Sequence, residues 1–122
     1  MTAQANAARV RSARYRLRGA GAFASVFKIG VRHDARFLQL IAAPAVQDPG
    51  RVGYVIGRKA MPRAVDRNRL RRRLREYVRA ARPAAERFDI ILRVRERVRR
   101  DDIAAAAAEA PVLLARLTGG TR

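Results

Sequence analysis

The stretch Arg67-Asn68-Arg69-Leu70-Arg71-Arg72-Arg73-Leu74-Arg75 places six arginines in nine positions, with its two leucines four apart. A spacing of four returns a side chain to the same face of an α-helix, so the leucines form one apolar seam and the cations are forced to the flanks. Followed downstream, Leu70, Leu74, Tyr77, Val78 and Ala81 fall within an arc of about 100°, the width of a core-facing stripe. Asn68, Arg71, Arg72, Arg75 and Arg79 lie on one flank, Arg69 and Arg73 on the other. The chain must therefore build a core against one side of this helix and leave a dense cationic surface on the other. Asp66 is the expected N-cap, its carboxylate also favoured near the positive helix end, and Pro83 closes the helix.

Such a surface implies an acidic partner, and the whole chain agrees. Its 122 residues, enough for one domain with a modest core, carry 28 Lys and Arg against 10 Asp and Glu, a formal +18. The charge recurs from Arg9 to Arg100 instead of occupying one amphipathic terminal helix, which favours nucleic acid over an anionic membrane. All but two of the cations are arginine, whose planar fork suits bidentate phosphate or guanine contacts. Cysteine is absent, which excludes disulfides and thiolate metal sites. Residues 1–14 lack the apolar core of a secretory signal, and the longest apolar run, Ile103 to Leu117, is broken by Glu109, Pro111 and Arg116. A cytoplasmic protein is expected.

Residues 1–14 read as a basic, disordered arm, 15–118 as a single nucleic-acid-binding α/β domain and 119–122 as a flexible tail. Phe23, Val26 and Phe27 recur at helical spacing, with Gly30 placed to end that helix. Val31 to Asp34, which holds the lone histidine His33, is loop-like. Phe37 to Ala43 reads as a strand, Gln47-Asp48-Pro49-Gly50 as a turn, and Arg51 to Gly57 as a strand with one bulky and one nearly bare face. The bare face lets a helix or a ligand approach closely. Phe88 to Val94 alternates as a third strand, and Asp101 or Asp102 caps a final alanine-rich helix in which Pro111 should force a kink or restart. The order α-β-β-(basic helix)-β-α predicts a single α/β (α+β) sandwich with one mixed sheet. The strands flanking the arginine helix should be parallel neighbours or close to it, and the usual rule would make their crossover right-handed.

The run Arg51-Val52-Gly53-Tyr54-Val55-Ile56-Gly57-Arg58-Lys59, followed by the Arg67-Asn68-Arg69 helix through Glu76, resembles the signature of the bacterial ribonuclease P protein subunit. Arg16-Leu17 with Phe23 and Phe27, and Phe88-Asp89-Ile90-Ile91-Leu92, resemble that family's first helix and last strand. The resemblance covers roughly residues 15 to 117 and implies an accessory protein of a catalytic RNA that removes the 5′ leader of precursor tRNA. It also implies a strand-helix-strand crossover of the unusual left hand. By position it implies RNA contacts from Arg58, Lys59, Arg67, Asn68, Arg69, Arg71, Arg72, Arg75 and Arg79. Phe23, Phe27, Leu38, Leu40 and Val55 would line a cleft for the single-stranded leader, with Leu40 standing where some members place a tyrosine. The partners implied are the catalytic RNA and precursor tRNA, with Mg2+ held mainly by the RNA.

The chain itself is read as non-catalytic. His33 has no second histidine to serve as acid to its base, and Asp101-Asp102 reads as a helix cap with no third carboxylate at useful spacing for a two-metal site. The rival reading is a ribosomal-protein-like or RNA-chaperone module, which shares the charge and the fold class. A protein-only nuclease is disfavoured by the shortage of acids and histidines.

Overall fold

The computed structural model describes residues 15–118. Its elements follow in the order α1 (Ala20–Ile29), β1 (Val31–Asp34), β2 (Leu38–Pro44), β3 (Val52–Val55), α2 (Ala64–Ala80), β4 (Phe88–Val94) and α3 (Ile103–Thr118). The expected arm and tail lie outside the described residues. The strands form one mixed sheet in the order β1-β2-β4-β3, antiparallel except for the parallel pair β3 and β4. That pair is joined through α2, as the arrangement around the arginine helix predicts.

Period-two alternation divides the sheet into two unequal faces. On one, Leu38, Leu40, Ala42, Val52, Ile90, Leu92 and Val94 meet Leu70, Leu74 and Val78 of α2 and the apolar stripe of α3 in the main core. On the other, Ile41, Ala43 and Ile91 pack with Leu17 and Val26, and Phe23, Phe27 and Val55 border them. With only ten residues, α1 spans about 15 Å, too short to roof that second face.

Several local expectations are corrected. Val31–Asp34 is an edge strand, paired from Val31↔Ala42 to Asp34↔Gln39. Its four mostly exposed residues carry no alternation of hydrophobicity, so it has no periodic signature, and its charges suit an unpaired edge. The basic helix begins at Ala64 after Arg63, two residues before the expected cap Asp66. Asp66 instead sits in the first turn, buried, with Arg100 Nε 3.5 Å from its Oδ1. Gly30 ends α1 as expected, in an extended conformation, and glycine is required there by proximity. A Cβ at that position would lie 2.5 Å from the Val26 carbonyl oxygen. α3 continues through Pro111 as one helix. The missing proline N–H is offset by the packing of Ala106, Ala107, Ala110, Leu113 and Leu114, all essentially buried.

Two carboxylates hold backbone that the sheet leaves unpaired. Asp89 accepts from the Arg51 N–H at 2.9 Å and the Val46 N–H at 3.4 Å, which clamps the β2–β3 connection. Glu109, reaching down from α3, accepts from the N–H groups of Phe37 at 2.9 Å and Leu38 at 3.0 Å. The alanines around it bring α3 close enough for this short side chain to reach β2.

Candidate nucleic-acid interface

The apolar seam of α2 is buried as its spacing requires: Leu70 and Leu74 are fully enclosed, and Tyr77 and Ala81 pack against the same core. Asn68, Arg69, Arg72, Arg73, Arg75 and Arg79 are consequently exposed, whereas Arg67 and Arg71 are half-buried. The residues of the Arg67 to Arg69 triplet are not equivalent. Arg67 turns back and donates through Nη1 to the carbonyl oxygens of Met61, at 2.8 Å, and Pro62, at 2.9 Å, tying the β3–α2 connection to the helix. Arg71 Nη1 donates to Asn68 Oδ1 at 2.9 Å, and the exposed Asn68 amide NH2 has no hydrogen-bond acceptor among the described residues. Burial draws the Arg71 guanidinium below its ordinary pKa, and the cations of Arg75 and Arg67 add to that. An anion at this flank relieves the repulsion.

Tyr54 lies beneath the same flank. Burial pushes its hydroxyl up to about 12, against the opposing pull of Arg75, Arg82 and Arg71, so the phenol remains a neutral hydrogen-bond donor at neutral pH. Arg82 stacks over the Tyr15 ring at 3.6 Å, and the Val52 N–H donates to the Tyr15 carbonyl oxygen at 2.7 Å. These contacts tie the start of the described chain to the outer edge of β3. Arg58 and Lys59, expected at the rim, occupy an exposed turn between β3 and α2.

The aromatic surface lies across the sheet from α2. Phe23 and Phe27 of α1 are half-buried beside Val55, and the end of the Phe23 ring lies against Gly53. A Cβ on Gly53 would fall 2.4 Å from Phe23 Cζ, so the bare strand face expected from the sequence receives an aromatic ring. Arg32 donates through Nη2 to the Phe27 carbonyl oxygen at 3.0 Å and lies 5.9 Å from the ring centroid. Leu38 and Leu40 are corrected here: both are fully buried on the opposite face, under α2 and α3, and cannot line this surface. Because strand side chains alternate, the neighbour that faces this side is the half-buried Gln39, which pairs across β2 and β4 with the exposed Arg93. Arg93 Nη1 donates to Gln39 Oε1 at 3.1 Å, and Gln39 Nε2 donates to Asp34 Oδ1 at 2.8 Å. The surface therefore grades from aromatic to polar. Sequence reasoning missed Gln39 and Arg93, although Gln39 is the one polar residue in Leu38–Pro44 and could have marked the outward face.

The remaining candidates are dispersed. His33 is half-buried on β1, and Asp102 accepts from the Arg99 N–H at 3.4 Å in the turn before α3. Among the described residues no group of three or more His, Asp or Glu is placed to hold a metal ion, and no helix is long and apolar enough to cross a membrane.

Comparison with known proteins adds an independent line. The family model described as Ribonuclease P matches residues 12–118. The ribonuclease P protein component of Chromobacterium violaceum is 34% identical over 103 residues, which cover 84% of this chain and 85% of that protein. The same component of Acidothermus cellulolyticus is 40% identical over 111 residues, covering 86% and 89%. Among solved structures, the ribonuclease P protein of Thermotoga maritima matches with a TM-score of 0.68 and 27% identity, over 85% of this chain and 98% of that one.

Proposed function

Since the chain belongs to the ribonuclease P protein family, a protein component of a tRNA-processing ribonuclease that associates with ribonuclease P RNA, we propose that its two faces hold two different RNA elements at once. The family match leaves the ribosomal-protein or chaperone alternative without support. In this reading the exposed cationic surface of α2, with Asn68, Arg72, Arg75 and Arg79 on one flank and Arg69 on the other, binds the catalytic RNA. Arg67 and Arg71 shape that surface from within. The open face of the sheet, with Phe23, Phe27, Val55, Gln39 and Arg93, receives the single-stranded 5′ leader of precursor tRNA.

The observation that carries this reading is the separation of the two surfaces by the sheet and its buried core. Cations at helical spacing meet successive phosphates of a folded RNA, whereas half-exposed rings offer stacking to unpaired bases. The protein acts as an accessory, with the reacting groups in the RNA. We assign the magnesium ions that drive hydrolysis mainly to the RNA. The protein screens phosphates so that less magnesium is required, and it works in the cytoplasm where tRNA precursors are made.

Two variants test the division of labour. Asn68→Ala combined with Arg72→Ala is expected to weaken assembly with the catalytic RNA by roughly tenfold or more while leaving the holoenzyme's preference for precursor over mature tRNA unchanged. Phe23→Leu, which preserves apolar burial, is expected to reduce that preference and spare assembly. Equal losses by both variants in both binding assays would contradict the proposal.

A further inference from the structure

Six cations collect at the end of the molecule where α2 begins, contributed by segments distant in sequence. Arg58 and Lys59 come from the turn after β3, Arg63 immediately precedes α2, and Arg97, Arg99 and Arg100 come from the β4–α3 connection. Val98 joins the two segments. Its side chain is buried at 3% exposure, and its N–H donates to the Ala60 carbonyl oxygen at 3.2 Å. Arg100 adds a second tie through Asp66 in the first turn of α2. The basic connection is therefore fixed against the fold.

Nearby carboxylates do little to balance this charge. Asp66 is taken by Arg100, Glu96 lies 3.8 Å from Arg36, and Asp102 accepts from the Arg99 backbone, which leaves the exposed Asp101. Among the described residues, the side chains of Arg58, Lys59, Arg63, Arg97 and Arg99 make no ion pair, hydrogen bond or ring contact. Anchored cations beside the positive end of a 17-residue helix repel one another and the helix dipole. A polyanion relieves both.

We propose that Arg97 and Arg99, together with Arg58 and Lys59, form a second phosphate-binding surface for the catalytic RNA, continuous with the α2 flank around the helix's N-terminal end. This rests on the function proposed above and extends it. The occupant is the catalytic RNA and not the leader because Ala60, Met61 and Val98 pack into the core on the α2 and α3 side of the sheet, away from Phe23 and Phe27.

The test is the salt dependence of binding between the full chain and a bacterial ribonuclease P RNA. Arg97→Ala with Arg99→Ala is expected to flatten the slope of log K against log salt by about 1.5 to 2, as loss of two phosphate contacts requires. Arg97→Lys with Arg99→Lys should retain the slope. Arg87→Ala, at the opposite end of β4 and about 20 Å away, should also leave it unchanged. Precursor-over-mature preference of the assembled holoenzyme should not move in any of these variants. An unchanged slope in the alanine pair, or a loss confined to precursor preference, would overturn the proposal. Failure of the unaltered chain to prefer this RNA over an unrelated RNA of equal length would instead overturn the underlying function, and this inference with it.

Discussion

Glu109→Ala is expected to lower the unfolding free energy by about 2 to 5 kcal/mol, because each buried donor left unsatisfied costs about 1 to 3 kcal/mol. The two donors are the N–H groups of Phe37 and Leu38, at 2.9 and 3.0 Å from the carboxylate. Phe37 is 4% exposed and Leu38 0%, so both donors belong to buried residues. They stand at the start of β2, the strand that pairs with both β1 and β4, and losing their acceptor loosens the centre of the sheet. Glu109→Gln retains an acceptor without the charge and should lose less, about 1 to 2 kcal/mol. Urea denaturation decides: the midpoint should fall with little change in m. An alanine variant within 0.5 kcal/mol of the unaltered protein would contradict this role.

Gly53→Ala is expected to separate stability from function. The added Cβ would sit 2.4 Å from Phe23 Cζ and 2.6 Å from Cε1, so something must move. What moves is the outer end of a half-exposed ring, which can swing towards solvent. The loss of packing is partly offset because alanine suits a strand interior better than glycine by roughly 0.5 to 1 kcal/mol. Net stability should therefore change by less than about 1.5 kcal/mol. In the proposed leader site the displaced ring would no longer stack on a base, an interaction worth about 1 to 3 kcal/mol. The preference of the holoenzyme for precursor over mature tRNA should accordingly fall by about 5- to 150-fold. Equilibrium binding of both tRNA forms measures it, and an undiminished ratio would remove Phe23 from the leader site.

These residues also mark how far the sequence could be read. The α2 seam was legible because Leu70, Leu74 and Val78 repeat at helical spacing amid arginines, and β4 was legible because Ile90, Leu92 and Val94 alternate against Asp89 and Arg93. β1 was not, since an edge strand of four largely exposed residues needs no hydrophobic pattern. The assignment of Leu38 and Leu40 to the open face failed because an almost wholly apolar strand does not declare which face is covered. Only Gln39 carries that information, and a one-residue change of register inverts the answer. Asp66 was recognised as belonging at the head of α2, but its burial against Arg100 depends on a segment over thirty positions away. Glu109 was read only as an interruption of an apolar run. Its partnership with Phe37 and Leu38 arises when α3 docks on the sheet, and no local pattern encodes that contact. The arginine run specified a cationic surface, while the internal bonds of Arg67 and Arg71 distinguish residues that shape this surface from those that face outward.

The most direct measurement of the central claim is reconstitution at low magnesium. The full chain is mixed with a bacterial ribonuclease P RNA and precursor tRNA, and release of the 5′ leader is followed with time. The chain is expected to raise the rate well above that of the RNA alone, and the stimulation is expected to shrink as magnesium or monovalent salt is increased. Leader release at the same rate with and without the chain would contradict it.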